Sequence, residues 1–390
     1  GVITPSALGL LVGCAIVLYT RLEAGKPLVP LSFFTIPVVV ATFVYFAIGL
    51  STFSVAEDKF TFWKEVVQRT LIIMLPLYLF SMGPRKPEHL KTAILTLLPC
   101  CSVVCLVALQ VARSVGFSKP VYVLGMHKNQ IAGTCAVMGV IAVSCLLTSR
   151  SRKKKLIFAG FLILACLGCL STQGRAGLLC ILISTVFMLV AIRAKWKTLL
   201  YFVLAVSISG AAILKMMPKE AIEHAVSTQK FSSNQLRVAL WSEVYPMLAE
   251  DPWVAVGWGQ PRQYGTQFYG DVANVFLFDW MQMGILGGIA LLVMIGCAVW
   301  LPLENAWRMP TNTLLSFINL VALGVIVARF THGMLDTFWI GRGCNLTTWM
   351  AIGMTVFVRL LLDQNEQRRM IGSSRSASVK TGRQPVASSR

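Results

Sequence analysis

The chain has 390 residues, of which 56% are hydrophobic and only 13% charged, and its mean hydropathy is +0.71. A soluble domain carries roughly 25% charged residues, so a water-facing globule is excluded and most of the apolar surface must face lipid or other membrane helices. The formal net charge of +19 would suggest nucleic acid in a soluble protein. Here it resolves into basic loops between apolar stretches and a basic tail, and no nucleic-acid partner is expected.

Eleven apolar spans follow one another, at 5–20, 33–53, 66–82, 92–111, 127–148, 156–171, 176–193, 198–215, 273–300, 314–332 and 343–362. Their lengths approach the roughly 20 helical residues that cross a hydrocarbon core. The weak alternation of a membrane β-barrel is absent. The expected fold class is therefore all-α, a polytopic integral membrane protein. It divides into spans one to eight (1–215), a long and mostly polar loop (216–272) holding Trp241, Trp253 and Trp258, spans nine to eleven (273–362), and a Ser/Arg-rich tail (363–390) that reads as disordered. The chain opens on glycine and its first span is short. An upstream helix is expected, giving twelve spans with both ends inside.

Alternate connections carry Arg21 and Lys26, then Arg85, Lys86 and Lys91, then Arg150 with Arg152 to Lys155, then Arg193, Lys195 and Lys197, then Arg308, then the tail. They all fall on one side, which the positive-inside rule makes cytoplasmic. The long loop and the turns at 172–175 and 333–342 then lie on the extracytoplasmic side.

The eleven cysteines fall almost entirely inside apolar segments. Cys166 and Cys169 form a C-x-x-C, but within a membrane stretch and with no partner pair. They read as small hydrophobes, not as a zinc or redox site. No Asp-x-Asp pair, P-loop or Gly-rich nucleotide fingerprint is present. No metal and no cofactor are expected.

Ionisable residues near membrane depth are costly and need a reason. Arg175, Arg237 and the neighbouring His332 and Asp336 come from three separate sequence contexts, yet the topology puts all four at the extracytoplasmic face. Arg175 sits in the turn Ser171-Thr-Gln-Gly-Arg-Ala-Gly177, where it reads as a ligand group or as an arginine snorkelling to lipid head groups. From Ser233 the chain reads as an amphipathic helix with Leu236, Leu240, Trp241, Val244, Met247 and Leu248 on one face. Arg237 falls on that apolar face, so it must meet a partner, either a bound phosphate or an internal one such as Glu243, Asp251 or a stack on the Trp241 ring. Arg329, His332 and Asp336 stand at i, i+3 and i+7, one helical face if the helix persists past Gly333. A carboxylate there would orient the imidazole for base work, while a satisfied polar histidine is the plainer reading. Asp279, within span nine, faces a polar cavity or pairs with another helix. His127, Lys128 and Asn129 open span five and either touch an anionic head group or anchor the interface.

At these residues the sequence resembles the O-antigen ligase and polymerase superfamily. His332, ten residues and Gly343 match one family pattern, and Arg175, three residues and Leu179 match another. Arg237 with Trp241, followed by Asp251-Pro-Trp-Val-Ala-Val-Gly-Trp-Gly259, resembles the opening of the family's large periplasmic loop. Many relatives carry His-Asn where span nine begins, and here Ala273-Asn274 stands instead.

The resemblance implies a multi-pass enzyme of the bacterial inner membrane with a periplasmic active site. Its donor would be O-antigen on undecaprenyl pyrophosphate, its acceptor a sugar hydroxyl of lipid A-core, and its chemistry metal-independent transfer with inversion. His332, Arg175 and Arg237 would be catalytic, Asp336 and Arg329 secondary, and His127, Lys128, Asn274 and Asp279 weaker donor contacts. An O-antigen polymerase or a protein O-oligosaccharyltransferase would share the donor and differ in acceptor. A secondary transporter is the reading from another class, but transporters tend to place their sites near the midplane between inverted repeats. Here the charged candidates gather at one face.

Overall fold

The computed structural model describes residues 5–115, 121–123, 126–172, 175–195, 197, 233–260, 274–311, 313–335 and 345–381. Among them every long element is a helix: α1 (Pro5–Glu23), α2 (Pro37–Ser51), α3 (Lys59–Arg69), α4 (Leu75–Met82), α5 (Pro87–Val115), α6 (Lys128–Thr148), α7 (Arg152–Ser171), α8 (Arg175–Ala191), α9 (Ser233–Glu250), α10 (Val275–Arg308), α11 (Leu314–Gly333) and α12 (Leu346–Thr381). Helices are what lipid demands, since each backbone group must find its partner within the segment. Among the described residues seven helical stretches are long and apolar enough to cross a membrane, with α2 and Ala176–Ala191 as shorter apolar helices. The chain is a multi-pass membrane protein. The span expected at 198–215 lies outside the described residues.

The most enclosed element is α11. Ser316 to Phe330 are all buried, and the helix packs on α5, α6, α8, α10 and α12. From Leu320 to Ala328 it is apolar all round, as the middle of a bundle-centre helix is expected to be. Small residues bring its neighbours close: Gly324 lies against Val140 of α6 and Met188 of α8. The outer helices do the reverse. Leu156, Ile157, Ile163 and Leu167 of α7 are exposed and form lipid-facing surface. Cys105 and Cys135 lie buried with their Sγ atoms 3.2 Å apart, packed between α5 and α6 as the sequence suggested.

Two helices are interrupted. Between α3 and α4 the residues Thr70–Met74 form a π-turn, in which the Leu75 N–H reaches back to the Thr70 carbonyl. Pro76 follows at once; its ring would crowd the carbonyl four residues back, and the wider turn relieves that. In α10, Gly284 has φ +67°, a left-handed conformation that glycine adopts without cost. The front segment Val275–Met283 is thereby set off from the rest of the helix. Residues 251–260 fill the break as a strap: Val256 N–H donates to the Met281 carbonyl, Gly257 N–H to that of Gln282, and Ile285 N–H to that of Pro252.

At the opposite end of the bundle Arg308 pairs with Asp363 at 2.9 Å and Glu366 at 2.7 Å, and Arg359 pairs with Glu304. Here the structure differs from the expected disordered tail: α12 continues past 362 to Thr381. Residues 363–369, Asp-Gln-Asn-Glu-Gln-Arg-Arg, are mostly good helix formers, and the pairs to Arg308 tie that stretch to α10.

Candidate functional site

His332 ends α11 at the face of the bundle where α6, α8, α10 and α12 begin. It is buried, and its Nδ1 lies 3.3 Å from Nη1 of Arg329 one turn back. A guanidinium can only donate, so Nδ1 accepts, and the neutral ring carries its proton on Nε2. Arg329, also buried, donates through Nη2 to Asn345 Oδ1 at 3.0 Å, linking the pair to the start of α12. Beneath them is Gly133 of α6, where a Cβ would stand 2.5 Å from Arg329 Nη1 and 3.4 Å from His332 Nδ1. Only a glycine leaves the pair this room.

Two more helix starts converge on the same place. Gly177 of α8 lies so close to α6 that a Cβ would sit 2.9 Å from the Ala132 carbonyl, next to Gly133. Arg175 opens α8 two residues earlier, and its side chain is outside the described residues. Asn274 caps α10, accepting from Phe276 N–H at 2.9 Å and Leu277 N–H at 3.2 Å. Its Nδ2 also donates to the Met334 carbonyl at 3.2 Å, gripping the turn that follows His332. Asn274 was expected to touch a donor, and its side chain serves first as this clasp.

The helix does not persist past Gly333: Met334 caps it and Leu335 lies in the turn. The i+7 register expected for Asp336 therefore does not apply, and Asp336 itself is outside the described residues, as is Gly343. His127 caps α6, its side chain accepting from Asn129 N–H at 3.3 Å while Gln130 accepts from the His127 N–H. Its ring meets Tyr122 edge-on at 5.4 Å. Lys128 is the first residue of α6. Both stand at the same end of the bundle as His332, one to two turns above Gly133.

The loop helix forms where its pattern predicted, as α9. Leu240, Val244 and Leu248 are buried. Val244 and Leu248 pack with Met281, Leu277 and Trp280 of the front segment of α10. Arg237 lies one turn before Trp241 on this helix, with its side chain outside the described residues.

Asp279 resolves to the second of its two readings, a pair with another helix. Its Oδ2 accepts from the Tyr45 hydroxyl at 2.8 Å, and Oδ1 is 3.5 Å from Arg69 Nη1, all of it fully buried. Arg69 also donates to Glu65 at 2.8 Å and Gln282 at 3.2 Å, bonds Tyr45, and stands 4.7 Å over the Trp258 ring. The sequence reading passed over Arg69, although an arginine inside the expected span 66–82 carried the same warning that singled out Asp279. Asn345 and Gly133 gave no such signal, being an uncharged polar residue and one glycine among 30.

A family model described as O-antigen ligase matches residues 159–292. The chain resembles the O-antigen ligase superfamily. The match supports a membrane glycosyltransferase of the O-antigen ligase and polymerase type. No curated protein matches the chain. The ligase match takes in Arg175, Arg237, the strap, Asn274 and Asp279, and it stops before α11. Structural contacts join His332 to it, through the Asn274 clasp on Met334 and the close approach of Gly177 to the α6 backbone.

Gly133 offers a test of this geometry. Gly133→Ala forces the Arg329 guanidinium away from His332. The displaced atom ends a flexible side chain, so folding should survive at no more than the usual overpacking cost of about 1–3 kcal/mol. A well-folded variant with a raised rate of glycosyl transfer per folded molecule is expected, because the displaced guanidinium no longer occupies the Nδ1 lone pair. An unchanged rate would show that the Arg329–His332 contact is irrelevant to chemistry.

Proposed function

We propose that the protein is an O-antigen ligase. It transfers O-antigen polysaccharide from undecaprenyl pyrophosphate to a sugar hydroxyl of lipid A-core, at the periplasmic face of the bacterial inner membrane, without a metal and with inversion. The observation that carries the reading is the buried Arg329–His332 pair over Gly133, at the bundle end where the ligase-matched helices α8 and α10 begin.

The acceptor hydroxyl attacks the anomeric carbon from the face opposite the pyrophosphate. The carbon–oxygen bond to the pyrophosphate breaks and its electron pair leaves with the lipid carrier. The hydroxyl proton goes to His332, and the charge gathering on the pyrophosphate meets Arg175 and Arg237, most strongly in the transition state. In the unliganded arrangement Arg329 occupies the lone pair at Nδ1. In this reading the donor's phosphates draw the guanidinium away and free that nitrogen to act as base. Asp336 would orient the imidazole, and His127, Lys128 and Asn274 would supply weaker donor contacts from their helix starts.

Purified protein in proteoliposomes, given lipid-linked glycan with either lipid A-core or a second lipid-linked glycan, tests the reading. Product on lipid A-core is the expected result. Lengthening of the lipid-linked glycan alone would favour a polymerase using the same site, and acceptance by protein an O-oligosaccharyltransferase. Cysteines placed beside Arg175, Arg262 and Asp336 should label from outside, and those beside Lys154 and Arg308 should not. Outside labelling at Lys154 would reverse the topology and remove the donor from the site.

A further inference from the structure

The front segment of α10, Val275–Met283, is the shared mount of two proposed site elements that are far apart in sequence. On one face it carries α9, the helix of Arg237, through Met281, Leu277 and Trp280. At its tip Asn274 holds the Met334 carbonyl beside His332. The break at Gly284 deprives the segment of rigid continuity with the rest of its helix, so its position has to be set laterally.

What sets it is the buried group on its other face. Arg69 reaches both Asp279 and Gln282, and Tyr45 from α2 bonds Asp279. Gln282 Oε1 in turn accepts from Gly259 N–H of the strap at 3.0 Å. Trp258 of the strap is wholly buried beside Gly49, where any Cβ would fall 1.8 Å from the indole, and beneath the Arg69 guanidinium. Gln260 closes the strap, donating to the Asp58 carbonyl at 2.8 Å and accepting from its N–H at 3.2 Å. Outside the spans, the Thr61 hydroxyl and amide hold the Asp58 carboxyl below its usual range, and Asp58 caps the helix that delivers Arg69. The arginine precedes the π-turn directly, a kind of irregularity found often where function requires it.

We propose that Arg69 and Asp279 are positioning residues: their buried pair fixes the front segment of α10, and thereby the spacing between Arg237 and the His332 turn. A buried ion pair is weak grounds for stability, since well-packed apolar residues of similar volume often replace one without loss. Directional hold is what an apolar pair cannot supply. The inference rests on the proposed transfer reaction for its kinetic readout only.

The test uses the full chain in nanodiscs. Arg69→Met combined with Asp279→Leu should restore a melting temperature and yield near wild type, and Asp279→Asn serves as the milder single variant. Backbone hydrogen exchange is expected to rise in 274–283 and 333–335 and to stay unchanged in α6 and in 286–308. Turnover should fall at least tenfold with the donor KM unchanged. Asn274→Ala added to Asp279→Asn should cost little more than either alone, because both act through one clasp. Unchanged exchange at 333–335 in a folded variant overturns the proposal, whatever the activity. Wild-type turnover in the folded double variant overturns it as well. A wild-type protein that transfers nothing defeats the proposed function instead, and the exchange data then decide this inference alone.

Discussion

His332→Ala is expected to lower turnover by at least about a hundredfold per folded molecule, while the variant still binds its lipid-linked donor. Proton abstraction by a positioned side chain contributes about a hundred- to ten-thousandfold, and His332 is the side chain proposed to take the proton. It ends the most enclosed helix, it is buried, and its Nδ1 lone pair is held by a residue that can only donate. The alanine leaves Asn345 as the hydrogen-bond partner of Arg329 and the Asn274 bond to Met334 intact, so the surrounding frame has reason to survive. A purely structural histidine gives the opposite pattern: poorer yield or weaker donor binding, with the surviving molecules turning over normally. Donor affinity and single-turnover rate on the same preparation separate the two. A loss below about tenfold, short of the usual range for a general base, makes the histidine structural.

Arg175→Ala and Arg237→Ala are each expected to abolish transfer in a protein that still folds and inserts. Removing one preorganised donor from developing negative charge costs about a hundred- to a thousandfold, and no metal is proposed to share the load. Arg→Lys should restore only part of the rate, since a point charge cannot reproduce the two-pronged contact of a guanidinium with phosphate. Folding should be spared for reasons visible in the backbone. Arg175 is the first residue of α8, ahead of the Gly177 contact. Arg237 precedes the Val244 and Leu248 contacts that dock α9. Near-normal activity in either alanine variant would take that arginine out of the site.

The helices were legible because lipid leaves an apolar stretch one regular conformation. The loop helix was legible because its 3.6-residue pattern starts cleanly at Ser233. The placing of His332 and the start of α8 at one end of the bundle followed from the alternation of spans, which pattern and charge together dictate. Local irregularities were not legible. Gly284 looked like any membrane glycine, yet it breaks α10 and admits the strap. The pairing of Arg69 with Asp279 joins residues 210 positions apart, and no local spacing announces such a contact. The extension of α12 was missed for a related reason: its Ser/Arg-rich composition reads as disorder, while the partners that steady its first turn sit on α10. The face expected to run from Arg329 through Asp336 depended on the helix continuing, and the helix stops at Gly333.

In the proposed reaction this membrane protein moves a glycan by side-chain chemistry alone. The most direct measurement is single-turnover transfer from glycan-linked undecaprenyl pyrophosphate to lipid A-core by purified protein in excess chelator. Glycosylated lipid A-core and free undecaprenyl pyrophosphate are expected in equal amounts, at a rate the chelator does not change. No transfer, or transfer that returns only with an added divalent cation, would contradict it.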